Sequence, residues 1–347
     1  MGSDQQIVVN GIAFLTWSSH RRTTGLAAGL GIELFELLSA RRGFVRHLEL
    51  ITRTLHLLFT RSFGVIVAQN PSIVLAMLLV CIRPLRRFRL VVDAHNEAIT
   101  PFVHDVAVVR LASRWLLRHS YLTIVTNSEL ADRVSHAHGC PFVLPDPLPA
   151  VPPNLPTGAS QPPYVAVVCT FAPDEPLAEI FRAAEGLPEV RFKVTGDTQR
   201  CPPALLAAKP ANVDLTGFLD EQSYWRLLAC SAAVLDLTSM PDCLVCGAYE
   251  ALALGVPMIL TDNAAGRRLF GQVAVFTDSA PASIAAGIRA ALERGRNRAL
   301  AQEYSVNWSA QLARLRSALQ EISTNQKSAN NRLRAKPPSF NDKRDTL

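Results

Sequence analysis

Residues Ser231–Asp262 read SAAVLDLTSMPDCLVCGAYEALALGVPMILTD, and the order of residue types in that stretch decides the fold. A β-branched and aliphatic run, AVLDLT, leads into a loop containing Pro241. A run of small and aliphatic residues of helical length ends at Gly255, and after Pro257 a second strand-like run, MILT, begins. Glycine just past a helix and proline beyond it are ordinary stop signals. Strand, helix and strand in so short a span form one βαβ unit, with its two strands parallel in a sheet covered by helices. The Cys243-x-x-Cys246 pair inside the stretch raises a redox or zinc reading. Thioredoxin-like chemistry wants that pair after an early strand, and structural zinc wants a second ligand pair. The sequence has neither, so the cysteines are expected to be small residues lining the start of a helix.

The same alternation continues in both directions. Upstream the strand candidates are IVVNGIAFLTW, GIELFELL, FGVIVAQN, RLVVDAHN and YLTIVTN, each nearly continuous in apolar residues, as strands covered on both faces should be. Around the opening stretch lie PYVAVVCTF, RFKVTGD, NVDLTGFL and VAVFT. Between the two groups, residues 145–163 read PDPLPAVPPNLPTGASQPP, a proline-dense segment that suits neither a helix nor a central strand. The expected organisation is α/β: a first domain over 1–150, a linker over 151–162, a second domain over 163–324 and an unstructured tail over 325–347. Both domains are expected to be doubly wound and Rossmann-like, facing a cleft. Two cores fit a chain of 347 residues, about half of them apolar.

The net charge of +6 is concentrated in the first half, where 15 Arg stand against 10 acids. Such a face suits a phosphorylated substrate or anionic lipid, and the lack of interleaved aromatics or a recognised module argues against nucleic acid. The start, Met-Gly-Ser-Asp-Gln-Gln, has none of the regions of a signal peptide, and seven scattered cysteines suit a reducing compartment. The expectation is a cytoplasmic chain. The longest apolar run, Val65 to Ile82, is interrupted at Gln69, Asn70 and Pro71, so it is expected to be a buried strand and then a buried helix. Arg41 to Arg61 holds five Arg and two His among Val45, Leu48, Ile51, Leu55, Leu58 and Phe59 at helical spacing. With Arg83, Arg86, Arg87 and Arg89 it is either a core-facing helix with solvated arginines or an attachment to an anionic membrane surface.

In parallel sheets, chemistry is sought at polar strand ends. A helix starting near Cys246 or Gly247 would direct free N–H groups and its positive dipole end at an anion such as a diphosphate. Glu250, about a turn in, is placed to accept hydrogen bonds from a ribose diol, and Asp242 to reach a sugar; the plainer alternative is that both acids only favour the helix dipole. In the first half, Asp93, His95 and Asn96 at one strand tip bring an imidazole and a carboxylate within reach of a hydroxyl, and Asn70 ends a neighbouring strand. Arg21 and Arg22 in the first loop are candidates for a phosphate. There is no Gly-x-Gly-x-x-Gly, which counts against a dehydrogenase, and no metal-ligand spacing.

The Asp242 to Glu250 span with ALALGVPMILTD resembles the donor-binding segment of GT-B glycosyltransferases, particularly glycosyltransferase family 4, which has an acid, seven residues and a Glu before a small-residue helix, Gly and Pro. The family usually has Glu where this chain has Asp242. FKVTGD, VDLTGFLDEQSYWRLLACSAAVLDLTS and DNAAGRRLFGQVAVFTDSAPASIAAGIRAAL look like further segments of the same C-terminal domain. The resemblance implies a nucleotide-sugar donor, no required metal or other cofactor, and Gly196, Asp197, Gly217 and Phe218 as neighbours of the base or ribose. The family usually places Arg and Lys in the loop after the first strand of this domain. Here that loop is TFAPDEPLAEIF, leaving Arg267 and Arg268 as the nearest sources of positive charge. VAQNP and LVVDAHNEA resemble segments of the β-mannosyltransferases that act on dolichyl-diphosphate chitobiose, which implies a sugar or lipid-linked acceptor in surface polysaccharide synthesis, with Asp242, His95 or Asp93 at the chemistry. Alternatives are a GT-B nucleotide-sugar epimerase and an inactive sugar-nucleotide-binding subunit of a partner transferase.

Overall fold

The computed structural model describes residues 11–70, 73–94, 96–99, 106–156 and 158–334. Two six-stranded, wholly parallel sheets organise them into two units. Unit 1 comprises 1–125, 131–143 and 311–347, and unit 2 comprises 126–130 and 144–310. Both sheets, with helices between successive strands, match the expected Rossmann-like α/β architecture.

Unit 1 begins with β1 (Ile12–Thr16), α1 (Arg21–Leu30), β2 (Glu33–Glu36), α2 (Gly43–Thr60), β3 (Val65–Asn70) and α3 (Ile73–Arg86). It continues through β4 (Arg89–Ala94), α4 (Asn96–Ile99), α5 (Ala107–His119), β5 (Leu122–Val125), α6 (Ser128–His136) and β6 (Pro141–Val143). The strand order is β2-β1-β3-β4-β5-β6. β1 and β5 are buried along their whole length, which explains their unbroken apolar runs. Two details differ from the sequence expectation. GIELFELL yields only a short strand with exposed ends, Glu33 and Glu36, because β2 lies at the sheet edge. A sixth strand, β6, occupies the other edge; its first residue is a proline, which an edge position tolerates.

Unit 2 contains β7 (Tyr164–Val167), α7 (Leu177–Glu185), β8 (Arg191–Thr195), a 3₁₀ turn (Thr198–Arg200), α8 (Pro203–Ala207), β9 (Val213–Gly217) and α9 (Glu221–Cys230). Then follow β10 (Ala233–Asp236), α10 (Cys246–Leu254), β11 (Met258–Thr261), α11 (Ala264–Phe270), β12 (Ala274–Thr277), α12 (Pro281–Leu292) and α13 (Ala299–Arg334). All six expected strands are present, in the order β12-β11-β10-β7-β8-β9. One apolar cluster packs α7 and α12 on one face of this sheet, and a second packs α9, α10 and Phe270 on the other. α10 stops at Gly255, whose φ of 66° is left-handed and whose N–H returns to Ala251 and Leu252. A Cβ at Gly255 would lie 2.8 Å from the Asn297 backbone, so this glycine serves both the cap and the packing.

The tail departs most from expectation. Residues 325–334 continue α13, and 335–347 lie outside the described residues. Leu312, Leu315, Leu319 and Ser323 are buried at helical spacing, Arg316 donates to the Gly29 carbonyl, and Gln326 Nε2 donates to the Arg87 carbonyl at 3.0 Å. The second half of α13 therefore belongs to unit 1, and docking rather than local apolar content sustains it. The Val65–Ile82 run forms β3 and the buried face of α3, as expected. No helix among the described residues is long and apolar enough to cross a membrane.

Candidate functional site

In unit 2 the strand order reverses between β7 and β10, the place where open parallel sheets bind ligands beyond their carboxyl ends. The loop after β7 is closed on the Glu175 carboxylate. It accepts the Thr170 N–H at 2.9 Å, the Thr170 hydroxyl at 2.8 Å and the Ala172 N–H at 3.0 Å. Cys169 Sγ lies 3.0 Å from the same group, and burial first, then Glu175, pushes that thiol up. An acid thus organises the loop in which the resembled family usually places Arg and Lys. Gly196, at the tip of β8, has a φ of 114°, and a Cβ there would sit 2.6 Å from the Cys169 carbonyl and 2.9 Å from the Phe171 ring. Its side-chain-free state is required by packing under this loop. Asp197 accepts the Gln199 N–H at 3.0 Å and caps the 3₁₀ turn.

Beyond β10 the chain reaches the start of α10, at Cys246 as expected. The sequence reading missed Asp236, the last residue of β10. Its Oδ2 accepts the Gly247 N–H at 2.8 Å, and a Cβ at Gly247 would lie 2.5 Å from that oxygen, so only glycine fits. Full burial pushes the Asp236 carboxyl well above the ordinary carboxylate range; the Gly247 N–H opposes this, and Glu250, Glu175 and Asp174 reinforce it. The raised carboxyl gives up its proton less readily than an ordinary carboxylate, which favours the neutral form beside the helix start. The charged letter inside AVLDLT was the signal for this residue. Burial and Asp236 push the Cys243 thiol up to about 12, and Cys246, which keeps some exposed surface, is also raised to about 12. Neutral thiols suit the structural role expected of both cysteines.

Glu250, a turn into α10, receives a hydrogen bond from the Tyr224 hydroxyl on α9. Asp242, in the preceding loop, has a φ of 55°, a left-handed conformation that Asp and Asn tolerate better than longer residues. The Asp242 carbonyl accepts Asn127 Nδ2 at 2.9 Å, and Asn127 Oδ1 accepts the Leu130 N–H at 2.8 Å; residues 126–130 belong to unit 2. Gly217 ends β9 with a φ of 73°, and beside it Phe218 is 85% exposed, a large aromatic surface without packing. The two expected cations are engaged within this unit. Arg267 pairs with Asp262 and lies over the Phe276 ring, and Arg268 pairs with Glu129 at 3.0 Å. The structure thus gathers Glu250, Gly247 and Cys246 at one helix start and sets Gly196, Asp197, Gly217 and Phe218 at adjacent strand tips, while both arginines hold carboxylates.

In unit 1 the order reverses between β1 and β3. Here Arg22 and Asp93, assigned different tasks from sequence, are brought together. Arg22 Nη2 lies 2.9 Å from Asp93 Oδ1, Nε lies 3.2 Å from each carboxylate oxygen, and the side chains are 4% and 0% exposed. Asp93, expected as a proton acceptor, and Arg22, expected as a phosphate ligand, are thus paired with one another in the interior. Arg21 is exposed on the first turn of α1, which His20 caps by accepting the Arg22 N–H. Asn96 begins α4 and is half-buried. His95 lies outside the described residues, as does the side chain of Asn70, whose backbone ends β3. Among the described residues no group of three or more His, Cys, Asp or Glu side chains is placed to hold a metal ion.

The two-sheet architecture is shared with solved structures of low sequence similarity. Sucrose-phosphate synthase from Thermosynechococcus elongatus matches with a TM-score of 0.65 and 12% identity, covering 93% of this chain and 99% of that one. Anabaena HepE in complex with UDP and glucose matches with a TM-score of 0.62 and 15% identity, covering 94% and 100%. UDP-GlcNAc 2-epimerase from Methanocaldococcus jannaschii matches with a TM-score of 0.53 and 8% identity, covering 82% and 94%. These likenesses establish the fold, two Rossmann-like domains of the GT-B type. A family model described as Glycosyl transferase-like matches residues 175–316, which span the candidate site in unit 2. A sequence comparison with curated proteins finds no match.

Proposed function

We propose that this chain is a glycosyltransferase that moves a sugar from a nucleoside-diphosphate sugar to an acceptor, with unit 2 holding the donor. The observation that carries the reading is the start of α10. Backbone N–H groups, the buried Asp236 that accepts the Gly247 N–H, and Glu250 meet there at the point where strand order reverses. The diphosphate would sit at the helix start, the ribose diol at Glu250 and the base on Phe218. HepE was solved with UDP and with UDP-glucose, which makes a UDP-sugar the first donor to try. Asp242, Arg267 and Arg268 are assigned to the donor sugar and diphosphate; for the arginines this requires exchange of their carboxylate partners. A helix N-terminus stabilises a leaving diphosphate without a metal.

The test is a thermal-shift panel of UDP-, GDP-, ADP- and dTDP-sugars on the full chain and its Glu250→Ala variant. Stabilisation of the wild type by one donor series, reduced in the variant, supports the reading. An unresponsive wild type, or a variant that responds equally, removes it. Donor turnover without acceptor would instead favour an epimerase, and binding without transfer an accessory subunit.

Unit 1 is assigned the acceptor, with His95 or Asp93 as the candidate base if the reaction inverts. NMR of the product anomer decides retention or inversion, and His95→Ala tests the base. A lipid-linked acceptor is favoured by the surface of α2 and α5. Phe44 is 80% and Val108 75% exposed, beside Arg41, Arg42 and Arg110. On α2 the inward residues are Leu50, Thr54 and Leu58, so Val45, Leu48 and Phe59 of the anticipated core face point outward. Apolar tips among arginines suit an anionic lipid surface at the cytoplasmic face of a membrane. Flotation with anionic liposomes at low and high salt tests the attachment; a chain that never floats refutes it.

A further inference from the structure

We propose that Tyr224 is the positioning residue that aims Glu250 at the nucleoside, and that preference for ribonucleotides over 2′-deoxyribonucleotides depends on its hydroxyl. The inference rests on the donor-site reading and adds a residue from a different helix. Glu250 carries a flexible side chain, and a carboxylate that must first be ordered binds a diol less well than one already held. Tyr224 supplies that order by donating its hydroxyl hydrogen to Glu250 Oε2. The carboxylate retains acceptor capacity on both oxygens after one such bond.

The ring that delivers this hydroxyl is itself fixed. α9 is capped by Asp220, which accepts the Ser223 N–H at 2.9 Å and the Ser223 hydroxyl at 2.8 Å. The next residue, Trp225, is buried in the cluster that also holds Ala248, Tyr249 and Ala251 of α10. α9 and α10 therefore pack as one piece, and the phenol reaches Glu250 from a rigid neighbour rather than from a loop. Burial first, and then the Glu250 charge, push the Tyr224 hydroxyl far above its usual value, so it stays a donor at every working pH. A site built to hydrogen-bond a hydroxyl discriminates against an analogue lacking it, because its polar group is left unpaired. Discrimination of that kind falls when the acceptor is free to swing.

The experiment titrates UDP and 2′-deoxy-UDP calorimetrically into the full wild-type chain, Tyr224→Phe and Glu250→Ala, with the melting temperature of each recorded. The expected result is that Tyr224→Phe melts like wild type and binds UDP about tenfold more weakly, while 2′-deoxy-UDP, which keeps only one hydroxyl of the diol, is weakened less. The ribose preference then shrinks toward that of Glu250→Ala. If Glu250→Ala loses the preference and Tyr224→Phe keeps it, the inference about Tyr224 fails while the donor site stands. Equal weakening of both nucleotides in Tyr224→Phe, with a lowered melting temperature, makes Tyr224 a packing residue and also overturns it. If the wild type binds neither nucleotide, the donor-site reading fails and takes the inference with it.

Discussion

Splitting the Arg22–Asp93 pair asks whether the strand-tip aspartate supports the fold or takes part in the chemistry. Two opposite charges about 4 Å apart attract by about 4 kcal/mol at an effective dielectric constant near 20. Here a bond of 2.9 Å and two of 3.2 Å join groups that are 4% and 0% exposed. Most of that attraction offsets the cost of removing both charges from water, so the net worth of the pair is small. Removing one partner is different, because it strands the other charge in the interior. Asp93→Asn leaves a buried guanidinium and Arg22→Met a buried carboxylate, and each is expected to cost about 3–5 kcal/mol. The double variant Arg22→Met/Asp93→Asn strands neither charge and should cost much less than the two singles together.

Urea unfolding followed by tryptophan fluorescence measures all four corners of this cycle, and transfer assays on the folded variants supply the second readout. A coupling of several kcal/mol, with residual transfer in the double variant, fits a structural pair. Single costs below about 1 kcal/mol would contradict the buried pair, since ordinary surface changes fall within about 0.5 kcal/mol. An Asp93→Asn variant of undiminished stability and no transfer would refute the reasoning and return Asp93 to the chemistry.

Phe218→Ala should leave stability within about 0.5 kcal/mol, because its ring is already exposed. Stacking on a base is worth about 1–3 kcal/mol, so nucleotide affinity should fall roughly tenfold or more by calorimetry; an unchanged affinity removes the base from Phe218. For Asp236 the folded value is raised, so its contribution to stability is full below the unfolded value near about 3.9 and is lost as pH rises through the folded one. Asp236→Asn, neutral throughout, should therefore gain on wild type as pH climbs above that range, and a pH-independent difference in melting temperature would contradict a raised carboxyl. Leu315→Ala, at a fully buried position in the second half of α13, should cost about 2–5 kcal/mol in chemical denaturation. A cost under about 1 kcal/mol would mean that this half of the helix does not dock on unit 1.

The architecture was legible because parallel strands buried on both faces write themselves as apolar runs, and β1, β5, β7 and β10 are buried from end to end. The edges were less legible. β2 and β6 have only one neighbour each, and their exposed or proline-bearing positions weaken the pattern. α13 was cut short because residues 325–334 are polar and are held by packing earlier in the helix and by the Gln326 side chain, which donates to the Arg87 carbonyl. Sequence order could show neither, as the partners lie far away in the chain. α2 was recognised as a helix but its inward face was misjudged, since Thr54 is buried where the hydrophobic letters pointed elsewhere. Its hydroxyl accepts the Trp17 indole N–H at 3.0 Å, a contact that lets a polar residue occupy the core.

At the candidate site, spacing showed the helix start and Glu250 but not how charge is managed around them. The family resemblance called for cations in the loop after β7, and the chain places Glu175 there, bound to the loop's own N–H groups. Four carboxyl groups, of Asp174, Glu175, Asp236 and Glu250, then lie near one helix start, which would repel a diphosphate if all were equally available. They are not equal. Thr238 donates to Asp174 at 2.5 Å, Glu175 is spent on its loop, Asp236 accepts the Gly247 N–H with its carboxyl pushed up by burial, and Tyr224 holds Glu250. Each of the four carboxyl groups is thereby bound to a donor, while the backbone dipoles of α10 still point at the same place. In the proposed function, this makes anion recognition in unit 2 a property of the main chain at the start of α10, and it ties Gly247, whose N–H bonds Asp236 and whose missing Cβ admits that oxygen, to the geometry of that start.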